Sequence, residues 1–373
     1  MTDTGSYVLR ARRVLTSPDA PIIEDGAIIV CGGLVADTGP WRELKARAPA
    51  DVRDMGAATL VPAPVNAHCH LELSHLGLPP VLGAGFLEWV RWLIAQPVGE
   101  FSPDAVRAAV SQMEAVGTAA VADIATRKGA EVAAVLKTAP LDYVIQHEVF
   151  GYSYDDSSIT PSPGGSLAGH ALYSTAPEAL RRAKAWDSAH GKAFSLHLAE
   201  HEGEVELLAQ GSGAFADFMR QRILPPTFAA PGLSPVAWAA ELGLLDQSTL
   251  AVHAVHLSGQ DIIRLAASRA TVCLCPRSNA VIGVGRASVR ALLDAGVPCC
   301  LGTDSLASAP DLDIWAELAA LLEFCPITLR ESVGLLATNA ARVLGFARLG
   351  ALTPGKAARA AVLPSALERA LRD

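Results

Sequence analysis

The chain of 373 residues is long enough to bury a large core, either as two average domains or as one α/β barrel with an appendage. A net charge of −8, with no basic stripe, excludes nucleic acid as the main partner. Hydrophobic residues make up 51% of the chain and charged residues 18%, yet no stretch approaches the roughly 18–20 apolar residues of a membrane span, so the surplus points to a buried parallel sheet.

The opening MTDTGSYVLRARR has an early acid and no apolar run, so no signal peptide is expected. The seven cysteines are an odd number scattered through runs such as TVCLCP and GVPCCLG, which fits a cytoplasmic chain with buried thiols and no disulfide framework. VLRARRVLTS, GAIIVCGG and LVADTGP read as short strands between Gly, Pro and Asp turns, followed by the helical WRELKARAP. From Thr59 onward apolar strands alternate with Ala/Leu-rich helices. The strands are TLVPAPVNAHCHL, TAAVADIAT, LDYVIQHEVFG, GHALYST, KAFSLHLAE, TLAVHAVHL, ATVCLCPRSN and VPCCLGTDS. Helices such as DAVRAAVSQMEAVG, APEALRRAKAWDSAHG, SPVAWAAELGLL and SGQDIIRLAASR lie between them, several opening on a Ser, Thr or Asp cap. The last thirty residues return to short strands and turns.

Eight strand–helix units predict a (β/α)8 TIM barrel over residues 59–344, with a small β-sandwich built from residues 1–58 and 345–373. A doubly wound sheet is the competing α/β fold. It lacks its Gly-rich phosphate turn, since GVGRAS at 283–288 is too weak to count.

Seven of the strands end in His68/His70, Asp123, Glu148, His170, His197, His253 and Asp304, and the eighth in Arg277, Ser278 and Asn279. In a TIM barrel those ends converge on the face that carries the chemistry. One buried histidine is ordinarily a hydrogen-bonded core residue; several at equivalent strand ends read as a metal site. Residues i and i+2 of a strand share a face, so His68 and His70 aim inward together while Cys69 turns toward the helices. Two imidazoles so placed can share a divalent ion at about 2.0–2.1 Å, and His197 and Asp304 complete three nitrogens and a carboxylate.

PAPVNAHCHLELS, HLAE, AVHAVHLS, CPRSN and LGTDSLAS, with the flanking GAIIVCGGLVADTG and LTPGKAARAAVL, resemble the metal-dependent amidohydrolase superfamily over nearly the whole chain. Within it the similarity is to the cytosine-deaminase-like, chlorohydrolase-like and aminofutalosine-deaminase-like branch. The resemblance implies that His68, His70, His197 and Asp304 hold the metal. It implies that His253 partners the water on that metal, that Glu200 is the acid/base on the substrate, and that His170 lines the pocket. The lysine that bridges two metals in binuclear relatives has no counterpart, which implies one divalent ion, zinc ahead of iron. Arg359 replaces an aspartate common in the terminal β-domain.

A metal-bound water acidified toward pKa ~7 would attack a ring carbon, with Asp304 taking the water's proton and Glu200 supplying general acid/base help. Arg277 is a candidate for binding an anionic substrate group, with anchoring of its loop as the alternative. Asp123 and Glu148 are candidates for orienting an imidazole N–H. His201 and Glu204 are read as part of a solvated helix start, His256 as supporting the site or structural, Trp89 and Trp92 as core ahead of a stacking lid for a flat ring, and His75 and Glu72 as entrance or capping residues.

The expected activity is hydrolytic deamination of an aminated, purine-type heterocycle such as aminofutalosine. The alternatives are cleavage of a cyclic amide, displacement of another ring substituent, a non-catalytic barrel, and a cysteine hydrolase on Cys69, which strand alternation disfavours. A small heterocycle is the expected partner, and a homo-oligomer is left open. Specificity is assigned to loops such as SHLGLPPVLGAG and GYSYDDSSITPSPGGS.

Overall fold

The computed structural model describes residues 5–153, 161 and 163–372. Residues 154–160 and 162 of the expected specificity loop GYSYDDSSITPSPGGS lie outside the described residues. Among the described residues, fourteen strands form two sheets. Five precede the barrel: β1 (Ser6–Val14), β2 (Ile23–Cys31), β3 (Leu34–Pro40), β4 (Val52–Asp54) and β5 (Thr59–Pro62). The barrel strands are β6 (Val65–Cys69), β7 (Ala120–Ala125), β8 (Asp142–Val149), β9 (Ser166–Ala171), β10 (Phe194–Leu198), β11 (Thr249–His253), β12 (Thr271–Leu274) and β13 (Cys299–Leu301), and β14 (Ala360–Val362) follows.

The terminal sheet has the order β14-β5-β1-β2-β3, with β4 also on β1. It is mixed, since β1 pairs antiparallel with β2 but parallel with β4 and β5. The apolar run of β2 follows from burial on both faces: Ile28 and Val30 pack with Val14, Leu60 and Leu352, while Ala27 and Ile29 pack with Val8 and Leu44. TLVPAPVNAHCHL, expected as one barrel strand, is two. Pro62 and Pro64 cannot donate to a ladder; β5 before them pairs with β1 and β14, and β6 after them with β7. Thr59–Pro62 therefore belongs to the terminal sheet, not to the barrel segment drawn from residue 59. The C-terminal region also adds a helix, Ser365–Ala370, that the sequence reading lacked. Its Glu368 accepts from Thr59 Oγ1 at 2.6 Å and from Arg12 at 2.5 Å, which ties the two chain ends together. Arg359 donates to the Pro140 carbonyl at 3.0 Å and so anchors the terminal domain to the barrel.

Strands β6 to β13 pair in parallel in sequence order. The ring closes between its first and last strands, where Thr303 and Asp304 N–H donate to the His68 carbonyl at 3.1 and 3.0 Å. Small inward residues such as Ala120, Ala122, Cys273 and Cys300 fill the interior, and the outward Leu196 and Leu198 pack under Leu180 and Leu208 of the helix layer. Helix starts follow the expected caps at Ser234 and Ser258, whose hydroxyls accept from the amide three residues on; the helix expected from Asp104 starts earlier, at Pro103, with Ser102 as its cap. Cys31 is exposed, against the expectation of buried thiols, and the other six cysteines are buried. Among the described residues no helix is long and apolar enough to cross a membrane.

Candidate metal centre

A bulge aims the first two histidines. Val65 and Ala67 face the interior with Ala120 and Cys300, so strict alternation would send His68 outward. Asn66 pairs with Val121, however, and Cys69 with Asp123, so three steps along β6 match two along β7. Beyond the bulge the faces are exchanged. Cys69 packs outward with Leu71, Val106 and Val110, while the His68 and His70 rings meet edge to face at 4.8 Å. Burial pushes the Cys69 thiol well up, which removes the thiolate a cysteine hydrolase needs. Gly302 is required here by close approach, because a Cβ would stand 2.8 Å from both His68 Cβ and Cys273 Sγ.

His197, near the end of β10, donates through Nδ1 to the His170 carbonyl at 2.9 Å, which leaves Nε2 as an acceptor 3.3 Å from His68 Nε2. Asp304 Oδ1 lies 3.6 Å from His70 Nε2 and 3.8 Å from His68 Nε2. Ligands about 2.1 Å from one tetrahedral ion sit ~3.4 Å apart; the donor atoms of His68, His70 and His197 all lie within 4.8 Å of one another, so the three histidines fit a common cation, with Asp304 beside two of them. The acid–base state fits as well. Burial, aided by the imidazoles of His170 and His253, pushes His197 down to about 3, and burial holds His68 low. Burial opposes charge on Asp304, but His70, His253 and the Ser278 hydroxyl outweigh it and keep the carboxyl below its usual range. Neutral imidazoles with one carboxylate are the donor set for a first-row divalent ion.

Three strand ends that carry the chemistry leave ordinary backbone conformation. Ala199 (φ 53°), His253 (φ 72°) and Asp304 (φ 60°) are non-glycine residues in the left-handed region, each costing about 1–3 kcal/mol. At His253 the turn redirects a ring that follows the inward Val252 and would otherwise face the helices. The ring stacks 5.4 Å from His197 instead. His253 Nε2 then lies 3.6 Å from Glu200 Oε1. Burial, then Asp304 and Glu204, raise the Glu200 carboxyl well above its usual range, so it is suited to carry a proton at neutral pH.

The Amidohydrolase family matches residues 59–371. The chain belongs to the amidohydrolase family. Among known proteins this amidohydrolase is similar to the aminodeoxyfutalosine deaminase of Deinococcus radiodurans, 26% identical over 81% of this chain and 77% of that protein. It is 30% identical to the 5'-deoxyadenosine deaminase of Methanothrix thermoacetophila over 83% of this chain and 74% of that protein. The structure of Helicobacter pylori aminofutalosine deaminase in complex with methylthio-coformycin shares its fold, with a TM-score of 0.84 at 22% identity, over 95% of this chain and 91% of that one. The protein is thus a metal-dependent hydrolase acting on C–N bonds.

The amidohydrolase's other expected site residues divide. His170 is brought to the centre: its ring lies 5.1 Å from His197, its Nδ1 is 2.5 Å from Ser174 Oγ, and Phe150 covers it at 5.0 Å. Arg277 is not. Its guanidinium donates to both oxygens of Asp311 at 2.7 and 3.0 Å, and it lines a cavity of about 600 Å³ beside the helix Pro276–Ile282. That arrangement is loop anchoring, since a guanidinium already paired outside the barrel has no free fork for substrate. Asp123 accepts from Leu71 N–H at 2.6 Å and so fixes the chain after His70, rather than orienting an imidazole. Glu148 accepts from Thr126 Oγ1 at 2.7 Å and leaves its buried Oε1 4.0 Å from His197 Nδ1. Glu72 accepts from the N–H groups of Thr126, Arg127 and Lys128, His75 meets the Pro97 carbonyl at 3.1 Å, and His256 meets the Val284 carbonyl at 2.8 Å. Trp89 donates to the Ala307 carbonyl at 3.1 Å, which docks its helix on the loop after β13.

The residues the sequence reading left without roles are the neighbours of Arg277. Ser278 and Ser308 donate to Asp304 Oδ2 at 2.6 and 3.0 Å, and Asn279 Oδ1 accepts from His253 Nδ1 at 3.0 Å. Ser278 and Asn279 stood in the quoted CPRSN, but a helix starting at Pro276 turns them inward and Arg277 outward, a phase that the motif does not display. Asn279→Ala removes the partner that fixes the His253 tautomer. We expect a ~10–100-fold loss of activity with metal retained, read from steady-state rates beside metal content; unchanged rates would refute the role.

Proposed function

We propose that this amidohydrolase is a hydrolytic deaminase of an aminated, purine-type heterocycle, aminofutalosine-like compounds foremost, with His68, His70, His197 and Asp304 holding one zinc ion. The observation that carries the reading is the buried Glu200 carboxyl, raised in pKa and set beside His253 at the edge of the donor cluster. Deamination of an amino-substituted ring needs a proton delivered to the ring nitrogen as the oxygen adds, and a protonated Glu200 can supply it. The names of the relatives, which are deaminases of adenine-type compounds, support the same choice. A cytoplasmic location accords with seven cysteines that are all unpaired.

A divalent ion at this centre supplies a water acidic enough to act as hydroxide near neutrality. The chain's own groups do the rest. His253 Nε2 is placed to orient the attacking oxygen, with Nδ1 fixed by Asn279. Asp304 Oδ1 accepts the proton that water loses, while Ser278 and Ser308 hold Oδ2. Glu200 gives its proton to the ring nitrogen beside the amine-bearing carbon as the water oxygen bonds to that carbon. The amine then takes the proton held by Asp304, the C–N bond breaks, and the added oxygen's remaining proton passes back to Glu200 as ammonia leaves a ring carbonyl behind. His170, held through Ser174, forms the facing wall.

Incubation of the purified protein with aminofutalosine, 5'-deoxyadenosine, adenosine, guanine, cytosine and a chlorinated triazine tests the reading. The expected result is ammonia released in step with conversion of an adenine-type ring to its 6-oxo form. Chloride release without ammonia would replace deamination by ring-substituent displacement.

A further inference from the structure

Two helices of this chain open with ordinary capping boxes. Ser258 and Thr328 accept from the amides of Asp261 and Glu331, and those carboxylates accept in return from the cap residue's own N–H at 3.0 and 2.8 Å. The helix Glu202–Gln210, which starts just past Glu200, departs from this. His201 is its cap and accepts from Glu204 N–H through Nδ1 at 3.1 Å. The carboxylate of Glu204 does not return to His201. It reaches one residue further back and accepts from the Glu200 N–H at 2.9 Å.

The peptide so gripped is the strained one. Ala199 has φ 53°, and its carbonyl accepts from Val255 and His256 N–H at 3.0 and 2.9 Å. The turn between His197 and Glu200 is therefore held on one side by the segment after β11 and on the other by Glu204, which is fully buried. Helix capping alone does not call for the longer reach, since the same chain caps two helices without it.

We propose that Glu204 is a positioning residue, whose carboxylate holds the Glu200 amide and thereby the left-handed turn that aims the Glu200 carboxyl at the substrate. The inference rests on the reading of Glu200 as the acid/base.

The test uses the metal-loaded enzyme and the best substrate from the ammonia assay. Glu204→Gln keeps an acceptor oxygen and is expected to stay within a few-fold of wild type. Glu204→Met removes it and should lower kcat ~10–100-fold, the range for a lost supporting partner, with KM and metal content little changed. Glu204→Asp, which keeps the charge but shortens the reach, should show the same kcat loss and serves if the Met variant does not fold. In a Glu200→Gln background the Glu204→Met effect should vanish, because both act through one group. Wild-type kcat in Glu204→Met or Glu204→Asp overturns the proposal. So does a Gln variant as impaired as Met, or a loss tracked by metal content or unfolding temperature. Activity retained in Glu200→Gln alone would instead remove the acid/base reading, whatever the Glu204 variants do.

Discussion

Glu200→Gln is expected to lower kcat/KM by ~10²–10⁴-fold, the usual contribution of a positioned acid/base, while the protein keeps its metal and its fold. The substitution is close to isosteric and leaves the backbone N–H that binds Glu204 in place. What it removes is a transferable proton. Glu200 is 4% exposed, so little water reaches it to substitute for that proton. Since the carboxyl is not among the groups that crowd around His68, His70, His197 and Asp304 Oδ1 at the cation position, metal analysis should read the same in both proteins. Near wild-type turnover in the Gln variant would remove Glu200 from the mechanism.

His68→Ala should strip the centre of metal and of activity together. Protein purified without chelator is expected to carry about one equivalent of zinc or iron, and the variant only a trace. The rate loss should exceed the ~100-fold that a lost outer partner costs. His68 sits within the histidine cluster: its ring lies 4.8, 5.0 and 5.9 Å from those of His70, His197 and His253. Its loss also leaves Asp304 facing fewer cation ligands in a site too buried to solvate a carboxylate. Elemental analysis decides the matter, and full metal content in a folded, inactive variant would show that His68 is not a ligand.

The alternation of strands with capped helices was legible because period and cap chemistry are local. The meeting of His68, His70 and His197 was legible because polar residues recur at the ends of successive buried strands. What escaped depends on phase. The outward setting of Arg277 and inward setting of Asn279 follow from where one helix begins. The faces of β6 follow from a bulge, and the ring direction of His253 from a left-handed residue. The split of β5 from β6 was marked by Pro62 and Pro64 and overridden by the apolar run around them. Glu204 lay in an acidic stretch, AEHEGEVE, that reads equally well as a solvated helix start, and only the destination of its carboxylate distinguishes it.

The barrel seam has one more consequence. His68 lies on the first strand of the ring, His70 one residue past its end and Asp304 just past the last strand, and the seam is closed by the His68 carbonyl itself. On the proposed ligand set, a chain emerging from the ribosome exposes its histidines long before Asp304, and a partial chain presents them without the carboxylate opposite. Assembly of that set then awaits closure of the ring.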